Sequence, residues 1–296
     1  MSYLQKYGYT PVAEEIASRI QAVSAGLDKL VSAEVYKRCF SLMDLTTLKT
    51  NDTAESVAKL VNKANRLTVE FPDYPLPASI CVYPNFASVV RELRCSPELH
   101  VTTVSSCFPS AQSFLEVKVQ ECVLAVRGGA DEIDIVLALN AFLAGDYAAA
   151  TREIEEMKRA IDEEAALQGR KVVLKVILET GLLGSLENIA EASFLAMEAG
   201  ADFIKTSTGK VEVNATPEAA VVMCSCIRAF YEKTGRKVGF KAAGGISNAQ
   251  DALLYYGIGA DVLGESWIEK GHFRFGVSRL GNSLMSAIEQ KQVSFF

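Results

Sequence analysis

Two periodicities alternate along the chain. Short apolar runs of strand length recur, and each is followed by a stretch in which apolar residues return at helical spacing. Eight runs read as strands: Cys39–Asp44, Ala78–Tyr83, Leu99–Ser105, Asp131–Leu137, Lys171–Glu179, Ala201–Thr206, Lys237–Ala242 and Ala260–Gly264. Between them, Ile154, Met157 and Ile161 in TREIEEMKRAIDEE fall on one side of a helix and leave the charges on the other. Helix starts are marked as well. Thr216-Pro217 reads as an N-cap with proline at the first helical position, and Ser247-Asn248-Ala249-Gln250 reads as a capping box. Ahead of the first run, the amphipathic stretch from Thr10 to Leu30 predicts a short N-terminal helical extension within residues 1–35.

Strands that alternate with helices pair in parallel, and eight repeats close most simply into a (β/α)8 TIM barrel of the α/β class. A doubly wound open sheet has the same periodicity and stays open on pattern alone. No linker, low-complexity tract or break in composition divides the chain, so residues 1–296 are expected to form one domain.

Composition then removes several classes of function. A hydrophobic content of 49% calls for a packed core. No apolar run approaches the roughly 18 residues that cross a bilayer, and the N-terminus lacks the pattern of a signal peptide; a cytoplasmic protein without a membrane partner is expected. Seven cysteines without CxxC spacing fit reduced thiols. A net charge of −6 argues against a nucleic-acid partner. His100 and His272 stand far apart with no second ligand at metal spacing, so no metal is expected.

Charges inside apolar strands carry the chemistry. Asp134 in DEIDIVLAL, Lys175 in VVLKVILET, Lys205 in ADFIKTSTGK and Lys241 in VGFKAAGGIS would each be costly to bury alone, which points to one shared polar centre. Lysine attacks a carbonyl only as the free amine, and with an ordinary pKa of about 10.4 fewer than roughly one in a thousand is free at pH 7. A second ammonium about 5 Å away contributes about 3 kcal/mol of repulsion, enough to lower the pKa by roughly two, and burial acts in the same direction. Lys205 is therefore the expected nucleophile, Lys241 the neighbour that lowers its pKa, and Asp134 the proton shuttle. Asp44, in LMDLTTL, reads either as a carboxylate for substrate hydroxyls or as a helix cap. Lys175, Thr206 and Thr208 are counted with the groups around the substrate. Glycine loops follow the sixth and seventh runs in TSTGK and AAGGIS, and FGVS comes after the eighth. Together Gly209, Lys210, Gly244, Gly245, Ser247, Gly276 and Ser278 form a candidate phosphate site.

At these residues the chain resembles the deoxyribose-phosphate aldolases, class I aldolases on a TIM barrel. The likeness runs from about Phe40 to Leu280 through LMDLTTL, ICVYPNF, ADEIDIV, LKVILETG, ADFIKTSTGK, VNATPEAA, VGFKAAGG and FRFG. It implies reversible cleavage of 2-deoxy-D-ribose 5-phosphate to D-glyceraldehyde 3-phosphate and acetaldehyde, without a metal or an organic cofactor. Carried over residue by residue, it makes Lys205 the Schiff-base lysine, Lys241 the lysine that perturbs it, and Asp134 part of the proton relay. Gly209, Lys210, Gly244, Gly245, Gly276 and Ser278 would hold phosphate. Cys81 matches a cysteine near the family's active centre and reads as a small hydrophobe.

Three departures stand out. Ala242 replaces the proline of the family's lysine-proline-alanine-glycine-glycine run, Ser247 stands where an arginine is common, and the chain ends in Phe296 where relatives often have tyrosine. The implied partners are a small-molecule sugar phosphate and acetaldehyde, with a homodimer as the candidate assembly. A transaldolase or other Schiff-base lyase remains a competing enzyme reading, and a sugar-phosphate-binding barrel without catalysis a competing non-enzyme one.

Overall fold

In the computed structural model, which describes residues 2–296, eight parallel strands close a barrel in sequence order, each paired with the next and the last with the first. They are β1 Met43–Thr46, β2 Ser79–Val82, β3 His100–Val104, β4 Glu132–Val136, β5 Val173–Ile177, β6 Phe203–Lys205, β7 Gly239–Ala243 and β8 Phe273–Val277. Parallel neighbours require a crossover, and helices supply it on the outside. On the helix Tyr147–Leu167, Ile154, Met157 and Ile161 are buried as their spacing indicates. Thr216 caps the helix Pro217–Thr234 with its side chain, and Pro217 takes the first position.

Three sequence readings are corrected. The run Ala260–Gly264 is not the eighth strand; it ends the helix Ala249–Leu263, and β8 lies ten residues further on in FRFGV. That helix is buried on two sides. A Cβ on Gly257 would come within 2.8 Å of Val23 in the N-terminal extension, and one on Gly259 within 2.4 Å of the Phe273 ring in β8. From Ala252 to Leu263 only Asp261 is exposed, so the 3.6-residue alternation is weak there and the apolar run imitates a buried strand. Secondly, Cys39 to Ser41 close the helix Ala33–Ser41, and β1 starts only at Met43. Thirdly, Asn248, not Ser247, caps the helix Ala249–Leu263, its side chain accepting from the Asp251 amide at 2.9 Å.

The N-terminal extension is a helical strap over the barrel's outer helices. Tyr7 stacks on Phe194 with ring centroids 4.4 Å apart, and its hydroxyl donates to Glu198 at 2.7 Å. Burying such an aromatic ring is worth about 2 kcal/mol, which fastens the short helix Tyr3–Tyr7 to the helix Leu186–Glu198. At the other end, the Phe295 and Phe296 amides both donate to Asn282 Oδ1 at 2.8 Å, while their rings pack on Phe71 and Phe40. Among the described residues no helix is long and apolar enough to cross a membrane.

The register decides what the barrel can do. Asp134 aligns with Lys175, Ile177 with Lys205, Lys205 with Lys241, and Lys241 with Arg274, so four charged residues of β4, β5, β7 and β8 and one of β6 meet inside.

Candidate active site

Side chains two apart on a strand share a face, so Glu132 and Asp134 of β4 both enter the barrel. There they meet Asp44, Lys175, Lys205, Lys241 and Arg274 in one continuous cluster. Lys205 and Lys241 donate to the same oxygen, Asp134 Oδ2, each at 2.8 Å, which bounds the separation of the two nitrogens at twice that distance. Lys175 takes the other oxygen, Oδ1, at 3.0 Å and reaches Glu132 at 2.5 Å. Lys241 also pairs with Asp44. Below them Arg274 grips both oxygens of Glu132, at 2.7 and 3.1 Å, and donates to Asp44. His100 reaches Glu132 from the solvent side at 2.7 Å.

Four cations thus face three carboxylates: Lys175, Lys205, Lys241 and Arg274 against Asp44, Glu132 and Asp134, all at most 4% exposed. The two sets balance if one cation gives up its proton, because an uncompensated buried charge is the costly state. Lys205 is the one of the four whose pKa is lowered. Burial depresses its pKa first and the ammonium of Lys241 second, and together they outweigh the opposing pull of Asp134. For Lys175 and Lys241, burial acts the same way, but two or more carboxylates overcome it and hold both amines protonated. Burial also opposes the charge of Asp134, yet the lysines around it, Lys175 first, keep its carboxyl far below the usual range. Asp44 and Glu132 are likewise held down, against burial, by Lys241, Arg274 and Lys175. From sequence the neighbouring ammonium takes the leading part in lowering Lys205; in the structure burial leads.

Lys205 is also the one member of this cluster that opens onto a cavity, of about 430 Å³, at the carboxyl ends of the strands. The loops after β1, β6, β7 and β8 build its walls: Thr46–Lys49, Thr208–Lys210 with Asn214, Ala243–Ser247 and Gly276–Arg279. No carboxylate lines it, while Lys49, Lys210 and Arg279 do. At the ends of β2 to β5, Cys81 with Val104 and Val136 with Ile177 form two small apolar clusters, and Phe108 packs against both. Burial pushes the Cys81 thiol up to about 11, so it stands there as an uncharged side chain.

Close packing explains the glycines. A Cβ on Gly276 would sit 2.8 Å from that of Ala243 and 3.1 Å from Lys241 Cε, so β8 passes the lysine only without a side chain. Gly244, at φ +87°, faces Asn214 so closely that an added Cβ would come to 2.7 Å. The loop after β6 is held from β5: Glu179, in the left-handed region at φ 55°, accepts from the Thr208 amide at 3.1 Å and from its hydroxyl. Thr208 Oγ1 in turn accepts from the Lys210 amide at 3.1 Å.

The residues expected from sequence separate into two groups. Gly209, Lys210, Gly244, Gly245, Ser247, Gly276, Ser278 and Thr208 share the cavity with Lys205. Asp44, Lys175, Asp134 and Lys241 lie beneath it in the charged cluster, fully buried. Thr206 belongs to neither. Its hydroxyl donates to the Ala243 carbonyl at 3.0 Å and accepts from the Ala243 amide at 2.9 Å, tying β6 to β7. Asp44 caps no helix, and its oxygens are taken by Lys241 and Arg274. Glu132, Arg274, Glu179, Lys49 and Arg279 are additions that the sequence reading misses. For Glu132 the signal is present as a second charge in the same strand, while Arg274 is hidden by the misplaced eighth strand. Among the described residues no three His, Cys, Asp or Glu side chains gather as metal ligands.

A parallel barrel with a buried lysine of lowered pKa at the floor of an anion-accepting cavity has the architecture of an aldolase that works through an amine. Comparison with known proteins agrees. The family of DeoC/LacD aldolases matches residues 39–263, and the chain belongs to that family. A Bos taurus protein named deoxyribose-phosphate aldolase is 40% identical over 82% of this chain and 77% of its own. A Caenorhabditis elegans relative is 39% identical over 90% of this chain and 86% of its own. Among solved structures, a tetrameric deoxyribose phosphate aldolase from Aeropyrum pernix superposes with a TM-score of 0.66 at 26% identity, covering 95% of this chain and 98% of that one.

Proposed function

We propose that the protein is a class I aldolase that reversibly cleaves 2-deoxy-D-ribose 5-phosphate to D-glyceraldehyde 3-phosphate and acetaldehyde. The observation that carries this is the pair of lysines on one oxygen of Asp134, of which only Lys205 has a lowered pKa and only Lys205 opens onto the cavity. Neutral Lys205 attacks C1 of the open-chain aldehyde, and loss of water from the carbinolamine gives an iminium. The C2–C3 bond then breaks. Its electrons pass to the iminium nitrogen to leave an enamine, while the C3 hydroxyl loses its proton and becomes the aldehyde of the three-carbon phosphate. Protonation of the enamine at C2 and addition of water release acetaldehyde and return Lys205 as the amine.

Asp134 serves as a shuttle in this scheme, not as a store of protons. Both amines donate to one of its oxygens, so a proton exchanges between them through a single atom, and its carboxylate offsets the charge of the iminium. Lys241 and Lys175 keep it ionised. The electropositive cavity, free of carboxylates, receives the phosphate on the amides near Gly209, Gly244, Gly245 and Gly276. Neither a metal nor an organic cofactor enters the scheme, which is placed in the cytoplasm.

Borohydride added with substrate should reduce the iminium and fix a two- or five-carbon adduct on Lys205, located by peptide mass. Lys205→Ala should lower turnover about 10⁴-fold or more and abolish the adduct, whereas a chelator should change neither. An adduct on another lysine, or turnover surviving in Lys205→Ala, would overthrow the assignment.

A further inference from the structure

Three cations reach the cavity, and they are not equivalent. Lys210 is engaged: its Nζ donates to the Leu48 carbonyl at 2.6 Å and ties the loop after β6 to the loop after β1. Arg279 is exposed, and among the described residues no carboxylate pairs with it. It follows Gly276 and Ser278 on the same loop and occupies the N-cap position of the helix Leu280–Glu289, where no side-chain cap bond is made. An arginine beside a cavity whose other cations are lysines adds a planar fork able to take two phosphate oxygens at once. Lys49, across the β1–β8 seam, supplies only a point charge.

We propose that Arg279 determines specificity for the phosphorylated sugar, its guanidinium gripping the terminal phosphate while Lys205 engages the aldehyde at the other end. This rests on the aldolase reading above. It assigns to Arg279 binding energy that depends on the phosphate and not on the carbonyl chemistry. Because the side chain is exposed and makes no internal contacts that the fold needs, its replacement tests binding and not folding.

The test measures kcat/KM for 2-deoxyribose 5-phosphate and for unphosphorylated 2-deoxyribose in the full chain, in Arg279→Ser and in Arg279→Lys. The ratio of the two substrates should fall about ten- to a hundredfold in Arg279→Ser, with the change in KM and not in kcat, and Arg279→Lys should recover part of it. Inhibition by inorganic phosphate should weaken by a similar factor. An unchanged ratio, or a loss shared equally by both substrates, would reject the role of Arg279 and leave the aldolase reading standing. A wild-type chain that cleaves neither sugar would reject both.

Discussion

Inside the barrel, every charge of Asp44, Glu132 and Asp134 is met by a lysine or by Arg274 at contact distance, whereas at the rim Lys49 and Arg279 stand beside glycine loops with no carboxylate among them. The interior is a closed electrostatic system in which removing one member leaves another unpaired, and Lys205 is the one cation in it whose pKa is lowered. The rim is an open system whose cations Lys49 and Arg279 have no carboxylate among the cavity's lining residues. Changes in the first should therefore disturb stability and chemistry together, and changes in the second should disturb binding alone.

The sharpest break of this contrast sets two lysines against each other. Lys241→Met removes a cation that Asp44 and Asp134 both use, and stranding buried carboxylates costs about 3–5 kcal/mol. It also removes the ammonium that helps hold Lys205 uncharged while leaving Asp134 to pull its pKa up. Turnover at neutral pH should fall about a hundredfold or more, and the acid limb of the pH profile should move to higher pH. Lys205→Met should also abolish turnover, yet with Lys205 uncharged it leaves the same three cations against three carboxylates, so stability should hold or rise by about 1 kcal/mol. Thermal denaturation of the two variants decides the matter: if both fall together, the interior is not balanced around a neutral Lys205.

Acid should dismantle the interior before it touches the rim. Asp44, Glu132 and Asp134 have folded pKa values depressed by buried cations, so each adds stability that is fully present above the unfolded value of about 4 and is lost as pH falls below it. Lys205 has the opposite sign: its lowered pKa costs stability at neutral pH, and that cost disappears as pH rises toward about 10.4. Below about pH 5 the urea midpoint should fall steeply, losing the equivalent of several kcal/mol of stability toward about pH 3. A midpoint that holds in that acid range would mean that these carboxylates titrate alike in the folded and unfolded chain, so that the cations do not depress them.

How much of this is legible in the sequence follows from the same contrast. A charge between apolar neighbours is conspicuous, and Asp134, Lys175, Lys205 and Lys241 all carry that sign. Position two residues away on the same strand puts Glu132 beside Asp134, a step of strand periodicity that the reading of single charges leaves out. Arg274 escapes because a helix buried against Phe273 and Val23 imitates a strand, which shifts β8 out of place. Closure of the barrel and the meeting of β8 with β1 are properties of the whole chain that no local pattern contains. Glycine marks the rim in outline, but why each glycine is needed depends on neighbours from other loops. Thr206 cannot be told from Thr208 by pattern, since one is turned to Ala243 and the other to Glu179 by the local twist of the backbone.

The glycines allow the finest test of the rim, because two adjacent residues differ in a single respect. Gly244 and Gly245 have φ of +87° and +85°, so alanine at either adopts the same unfavourable backbone region at a cost of about 1–2 kcal/mol. Only at Gly244 does the added Cβ also collide, at 2.7 Å from Asn214 Cβ, while at Gly245 nothing lies within 4 Å. Backbone strain common to both should raise KM for the phosphorylated sugar about threefold in Gly245→Ala. The collision with the loop that carries Asn214 should add a further factor of about ten in Gly244→Ala, a difference of about 1.4 kcal/mol. Turnover at saturation should hold in both, since neither position touches Lys205, Asp134 or Lys241. Equal effects on KM would mean that the amides of this turn are set by backbone conformation alone, and a fall in kcat would mean that the rim and the interior are coupled after all.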